Sequence, residues 1–408
     1  MQHARVSLYA MMLASAGIPL YIHLPQFASV ELGIGLGAVG GILLAIRLID
    51  LVQDPVIGWL VDRWPGAQLP FALAAAGGLA IGFPLLFGLR PGPDAALKMV
   101  LTLVLLFTAY SLGMILLYGR SATLAGSSEP HALLTLAAYR EGGMLTGVII
   151  AAIAPAVLVA LGAAGMGYGA FGFLLGALAL MAGVMSLPVW RRPAIAGRPL
   201  SAPSLAQAGA LRLLLLAVLN SLPVALTSTL FLFFVEDRLA LPGSAGALLV
   251  LFFLFAGISV PLWTKLSQRI GPKSTLLIAM PLAIASFAGA AFLGPGDLLI
   301  FALICAVSGA TLGADMVLLP AMFSIALTKA GLNAASAFGI WSFAGKLSLA
   351  LAAALALPLL EMNGYTPGGA NTPEALATLS LSYAALPCAL KLIAFAFALT
   401  LPSERTTP

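Results

Sequence analysis

From residue 7 to residue 401 the chain is a succession of about twelve apolar runs, each close to the ~20 residues an α-helix needs to cross a bilayer, separated by short polar breaks. Nothing else in the sequence constrains the fold so tightly. Hydrophobic residues make up 61% of the chain and charged residues 8%, whereas soluble domains carry roughly 25% charged residues, so the runs are not the core of a water-soluble protein. A membrane β-barrel would instead show alternating segments of roughly ten residues. The expected fold is an all-α membrane protein of twelve transmembrane helices. Spans are expected at 7–29, 36–61, 69–89, 98–119, 133–161, 167–189, 210–235, 243–266, 273–293, 298–326, 333–359 and 376–401, ended by breakers such as Pro65-Gly66, Pro91-Gly92-Pro93 and Gly294-Pro295-Gly296.

The longest break, 190–209, is rich in Pro, Ala, Ser and Arg and divides the spans six and six. The expected organisation is therefore a bundle at 1–189, a cytoplasmic linker at 190–209 and a second bundle at 210–408. Weak internal similarity supports it: Pro55 to Arg63 and Pro261 to Arg269 match at a constant offset, each at the end of the second span of its half. Parallel repeats of this kind, with binding near the midplane, are the plan of the major facilitator fold. Basic residues set the orientation. With the N-terminus inside, the inner loops hold Arg5, Arg63, Arg120, Arg191, Arg192, Arg198, Arg212, Lys265, Arg269, Lys273, Lys329 and Arg405, and the outer loops only Arg90, Lys98 and Arg238. Both termini are expected in the cytoplasm, with the chain a multi-pass protein of the plasma (inner) membrane. No cleavage site follows His3 and Arg5, so the first span is expected to be retained.

Charge inside the spans is scarce and therefore informative. The second span carries Arg47, Asp50 and Asp54 on one helical stripe, because residues three and four apart share a face. Two carboxylates one turn apart resist joint ionisation, so one takes up a proton or the pair attracts a small cation. Asp50 and Asp54 are thus the coupling candidates, with Lys346 of the eleventh span as a partner across the halves. Arg140 and Arg47 are the candidates for substrate contact, helix pairing being the alternative for Arg140; Glu141 reads as structural. Asp62, Arg63, Arg269 and Asp315 are candidates for gating between the halves. Lys391 reads as packing or snorkelling, His23 as an interfacial polar residue, and Cys305 and Cys388 as packing residues. There is no metal-ligand spacing and no nucleophile elbow, so an enzyme is not expected, and neither is a cofactor beyond a coupling H+ or Na+.

These residues resemble the melibiose permease-like glycoside-pentoside-hexuronide:cation symporter family of the major facilitator superfamily. The resemblance is carried by Arg47-x-x-Asp50-x-x-x-Asp54-Pro55-x-x-Gly58-Trp59, Arg140, Ala314-Asp315-Met-Val, Lys346 and Asn363-Gly364-Tyr365. It implies that Asp50 and Asp54 are cation or proton ligands, that Lys346 neighbours them and that Arg140 contacts substrate. The family's sugar-binding acids would fall near Ala14 or Ser15 and near Met114 or Ile115, its stacking aromatic near Gly119, and the second acid of its tenth-helix motif at Leu318. The implied activity is cation-coupled symport of a sugar or glycoside by alternating access in a protein that acts as a monomer. A lysolipid or hydrophobic metabolite as solute, or a transporter-like sensor that no longer cycles, are the alternatives.

Overall fold

The computed structural model describes residues 2–17, 19–24, 27–160, 167–195 and 197–402. Its long helices are α1 (Gln2–Ser15), α2 (Leu36–Arg63), α3 (Gln68–Phe87), α4 (Ala95–Gly119), α5 (Pro130–Ala160), α6 (Gly167–Trp190), α7 (Ala210–Phe233), α8 (Ala245–Ile270), α9 (Pro272–Ala288), α10 (Leu298–Lys329), α11 (Ala335–Met362) and α12 (Leu386–Leu399). This is the twelve-helix architecture, and the apolar runs set the helices because only a helix satisfies its own backbone in lipid. Ten helical stretches among the described residues are both long and apolar enough to cross a bilayer. The 28-residue α2 matches them in length but carries the charges described above.

Several crossings deviate from regular α-helix, α7 running into a π-helical turn at Phe234–Arg238 and α9 into a 3-10 turn at Gly289–Phe292. After α1 the backbone widens into π-helical turns at Pro19–His23 and Phe27–Glu31. Before α12, helix Pro373–Ser380 passes through a π-turn at Leu381–Ala385, next to Pro387, which has no amide proton to donate to the regular ladder.

The chain divides into two compact units, neither contiguous in sequence. Unit 1 comprises 1–204 and 324–343; unit 2 comprises 205–323 and 344–408. The turn between α10 and α11, with the helix ends that flank it, thus belongs to unit 1. Unit 1 is centred on residues such as Tyr9, Leu13, Leu79, Phe83, Leu106 and Leu116, all essentially inaccessible. Small residues bring its helices close: a side chain on Gly143 or Gly147 of α5 would run into the Ser7 and Met11 carbonyls of α1. The core of unit 2 gathers Phe234, Phe301 and Tyr383, with Phe234 and Tyr383 stacked at 4.1 Å between ring centres.

The stretch after α6 is held to the α10–α11 turn at Gly197 and Arg198. Arg198 donates its amide to the Gly331 carbonyl (2.7 Å) and accepts from the Asn333 amide (2.9 Å), and the Asn333 side chain accepts from Gly197 N–H (2.8 Å).

Candidate functional site

Helix α2 is two-faced. Leu44, Leu48, Val52, Val56 and Trp59 form an exposed apolar stripe, as a lipid-facing surface requires, while Asp50 and Asp54 are 1% and 0% exposed. A helix in lipid has no other economical place for carboxylates than its protein-facing side. Neutral hydrogen-bond donors are among the partners of both acids. Gln53 Nε2 donates to Asp50 Oδ1 (2.5 Å), and Gln53 Oε1 accepts from Thr108 Oγ1 of α4 (2.9 Å). Ser342 Oγ of α11 donates to Asp54 Oδ2 (2.5 Å). The side chain of Arg47 lies outside the described residues. Lys346 sits half-buried in the part of α11 that belongs to unit 2, whereas Asp50 and Asp54 belong to unit 1.

One turn and more beyond Asp54, the same helix meets the start of α11. Asp62 accepts the amide protons of Ala335 (3.2 Å to Oδ1) and Ser336 (2.6 Å to Oδ2), the first orphan donors of α11. A carboxylate there is favoured by the positive end of the helix dipole as well. The approach is backbone to backbone: a Cβ on Gly58 would lie 2.6 Å from the Ala335 carbonyl oxygen, and one on Gly339 would lie 2.6 Å from the Asp54 carbonyl oxygen. Gly119 of α4 completes the seat, since its Cβ would fall 2.6 Å from Ala335 Cα. That position therefore has no room for the stacking aromatic which the family resemblance would place near it. Arg120, 3% exposed, donates to the Val61 carbonyl (2.6 Å). Arg63 and Arg269 are exposed.

Arg140 and Glu141, both 1% exposed, form an ion pair with each other, Nε to Oε1 at 2.9 Å. The guanidinium carbon lies 3.7 Å from the centre of the Tyr118 ring, and Tyr118 OH donates to the same Glu141 oxygen (2.8 Å). Arg140 Nη1 also donates to Ser121 Oγ (3.4 Å). The positions of the family's sugar-binding acids are buried and mostly apolar: Ala14, Ser15 and Ile115 are at most 5% exposed.

Unit 2 contains a charged cluster that the sequence alone does not assemble. Asp315 of α10 forms an ion pair with Lys391 of α12, and Lys391 Nζ also donates to Asn220 Oδ1 of α7 (2.5 Å). All three are at most 8% exposed. Lys391 is thus a buried pairing residue, contrary to the packing or snorkelling expected from its apolar neighbours. The pair borders a cavity of about 160 Å³ between α7, α8, α9, α10 and α12. The advance signal was the presence of Asp315 and Lys391, with Asn220, in otherwise apolar spans. His23 is half-buried, edge-on to Phe171 at 5.3 Å between ring centres.

Solved structures of several transporters share this fold. A bacterial homologue of the iron transporter ferroportin, in an outward-facing crystal structure, superposes with a TM-score of 0.74 at 15% identity, covering 99% of this chain and all of that one. A major facilitator superfamily transporter, FucP, in the outward conformation, gives 0.67 at 14% identity, with 99% of each chain covered. A second crystal structure, of the E. coli fucose:proton symporter FucP carrying a point substitution, gives 0.68 at 15%, with 98% of each covered. Identities this low establish the fold alone. No curated protein matches the chain in sequence. The family model described as MFS/sugar transport protein matches residues 6–405. With nearly the whole chain matched, the protein belongs to that family of the major facilitator superfamily and is a multi-pass membrane transporter.

Proposed function

We propose that the chain is a secondary symporter, of the glycoside-pentoside-hexuronide:cation type, which couples entry of H+ or Na+ to movement of a small solute by alternating access. The observation that carries this reading is the fully buried pair Asp50 and Asp54, one turn apart on α2, with Asp54 hydrogen-bonded to Ser342 of α11. A site of this kind changes its bonding when it gains or loses a cation. Entry of one positive charge supplies about 2.3 kcal/mol per 100 mV of membrane potential. Lys346 and Arg47 are assigned to the same pathway, Lys346 with the coupling carboxylates and Arg47 with substrate. Asp62 acts as a latch that holds the start of α11, with Arg63 and Arg269 at the inner rim and Asp315 serving inter-half gating from α10.

A sugar or glycoside is the first solute class, supported by the family's description. A less polar solute is the second reading, favoured by buried Ala14 and Ile115 at the positions where sugar-binding acids would fall. Arg140 keeps its reading as a substrate contact only if Tyr118 withdraws; its enclosed geometry supports a helix lock. The protein is assigned to the inner membrane as a monomer, with both termini cytoplasmic.

The test is pH outside lightly buffered proteoliposomes as candidate solutes are added singly, with and without sodium. Alkalinisation triggered by one solute, and lost in Asp54→Asn, is the expected result. A solute that moves without a pH or sodium dependence in both proteins would remove the coupling assignment.

A further inference from the structure

We infer that the cavity of unit 2 is a ligand site in its own right, and that it takes an uncharged molecule of single-ring size bearing one hydroxyl, a phenol or an alicyclic alcohol. The inference goes beyond the coupling reading, since every residue it uses lies in unit 2 and it stands whether or not Asp50 and Asp54 bind a cation.

Size comes first. A cavity of about 160 Å³ is on the scale of the ~150 Å³ apolar cavity that admits benzene. Its walls are mainly apolar, with Phe252 and Phe253 from α8, Phe287 from α9 and Leu312 from α10. Three hydroxyls on the wall are already committed as donors to their own helices: Thr227 to the Val224 carbonyl (2.9 Å), Ser308 to the Ile304 carbonyl (2.6 Å) and Thr311 to the Ser308 carbonyl (2.8 Å). Among the described residues of the wall, charged hydrogen-bonding capacity sits at one place, the Asp315–Lys391 pair.

That pair has one acceptor and one donor in reserve. Asp315 gives Oδ2 to Lys391, while its buried Oδ1 has no hydrogen-bond partner among the described residues. Lys391 carries three ammonium protons, and its two recorded acceptors are Asp315 and Asn220. A hydroxyl in the cavity accepts from the spare ammonium proton and donates to the Asp315 carboxyl once that side chain turns its buried Oδ1 toward the cavity, which satisfies both. The pair is neutral overall, so a charged ligand would bring an uncompensated charge against phenyl walls. A free sugar is disfavoured by the same chemistry, because beside Phe252, Phe253 and Leu312 its further hydroxyls would find only the wall hydroxyls of Thr227, Ser228, Ser308 and Thr311.

The experiment uses 4-fluorophenol as probe and reads 19F NMR on the full-length protein in nanodiscs, with empty nanodiscs as the partition blank. The expected result is saturable line broadening or a shifted bound resonance absent from the blank. 4-Fluorotoluene, which carries a methyl in place of the hydroxyl, is expected to bind at least about tenfold more weakly, because the reserve acceptor stays unpaired. Ala283→Phe, or Val224→Phe if the first does not yield monodisperse protein, places a side chain in the cavity and abolishes the bound signal. Equal binding of the toluene and the phenol would overturn the assignment. So would a phenol signal no different from the blank, or one unchanged in the folded cavity-filling variant. No ion gradient is involved, so failure here is distinguishable from failure of the coupling reading.

Discussion

Each unit buries an ion pair, and the two pairs are built to opposite ends. Arg140 and Glu141 are neighbours on α5, roofed by the Tyr118 ring and tied by its hydroxyl to the carboxylate they share. Asp315 and Lys391 come from different helices, share a third helix through Asn220 and border an open cavity. The first arrangement covers its charges, with only Arg140 Nη2 lacking a hydrogen-bond partner among the described residues, and behaves as a lock. The second leaves hydrogen-bonding capacity facing space, which a ligand or solvent can use. Buried charge in a transporter thus has two meanings, and the surroundings of the pair tell them apart, not the pairing itself.

The largest effect should come from breaking the enclosed pair. Glu141→Ala strands the Arg140 guanidinium in a site 1% exposed, and removal of one partner from a buried pair costs about 3–5 kcal/mol. The expected outcome is a steep loss of monodisperse protein on heated size-exclusion chromatography. Lys391→Met should cost less, about 1–3 kcal/mol, because Asp315 borders a cavity that can hydrate it. If Lys391→Met proves as damaging as Glu141→Ala, the contrast between lock and site collapses.

How much of this was visible beforehand follows from the range of each interaction. Most helix positions came through to within a few residues because a bilayer dictates span length, whereas the first and last spans, expected unbroken at 7–29 and 376–401, are interrupted by π-helical turns. The acid face of α2 was legible from the four-residue spacing of Asp50 and Asp54 alone. The Arg140–Glu141 pair was not, since adjacent helical residues leave the backbone about 100° apart and only the long Arg side chain bends back. Asp315–Lys391 spans 76 residues of sequence, and no local pattern links α10 to α12. Nor did apolar periodicity reveal that the α10–α11 turn, residues 324–343, would belong to the N-terminal unit. That outcome rests on Gly58, Gly119 and Gly339, whose missing side chains admit α11, and single glycines in apolar helices carry no such label.

Asp62 adds a third way to satisfy a carboxylate and the smallest of the expected effects. It is half-buried, its hydrogen bonds run to the Ala335 and Ser336 amides of a helix start, and the Arg120 charge acts on it as well. Replacing a capping carboxylate by alanine costs about 0.5–2 kcal/mol. Asp62→Ala should therefore speed hydrogen exchange at the Ala335 and Ser336 amides by roughly an order of magnitude while the rest of unit 1 keeps its protection. Asp62→Asn is intermediate: its one amide oxygen can still accept from one of the two amides, while the second bond and the charge–dipole term of about 0.3–1 kcal/mol are lost. An Asn variant as fast as the Ala variant would mean that α11 is held only when both carboxylate oxygens are present. An Ala variant as slow as wild type would mean that the glycine seat holds it, and that the acid serves the inner rim in some other way.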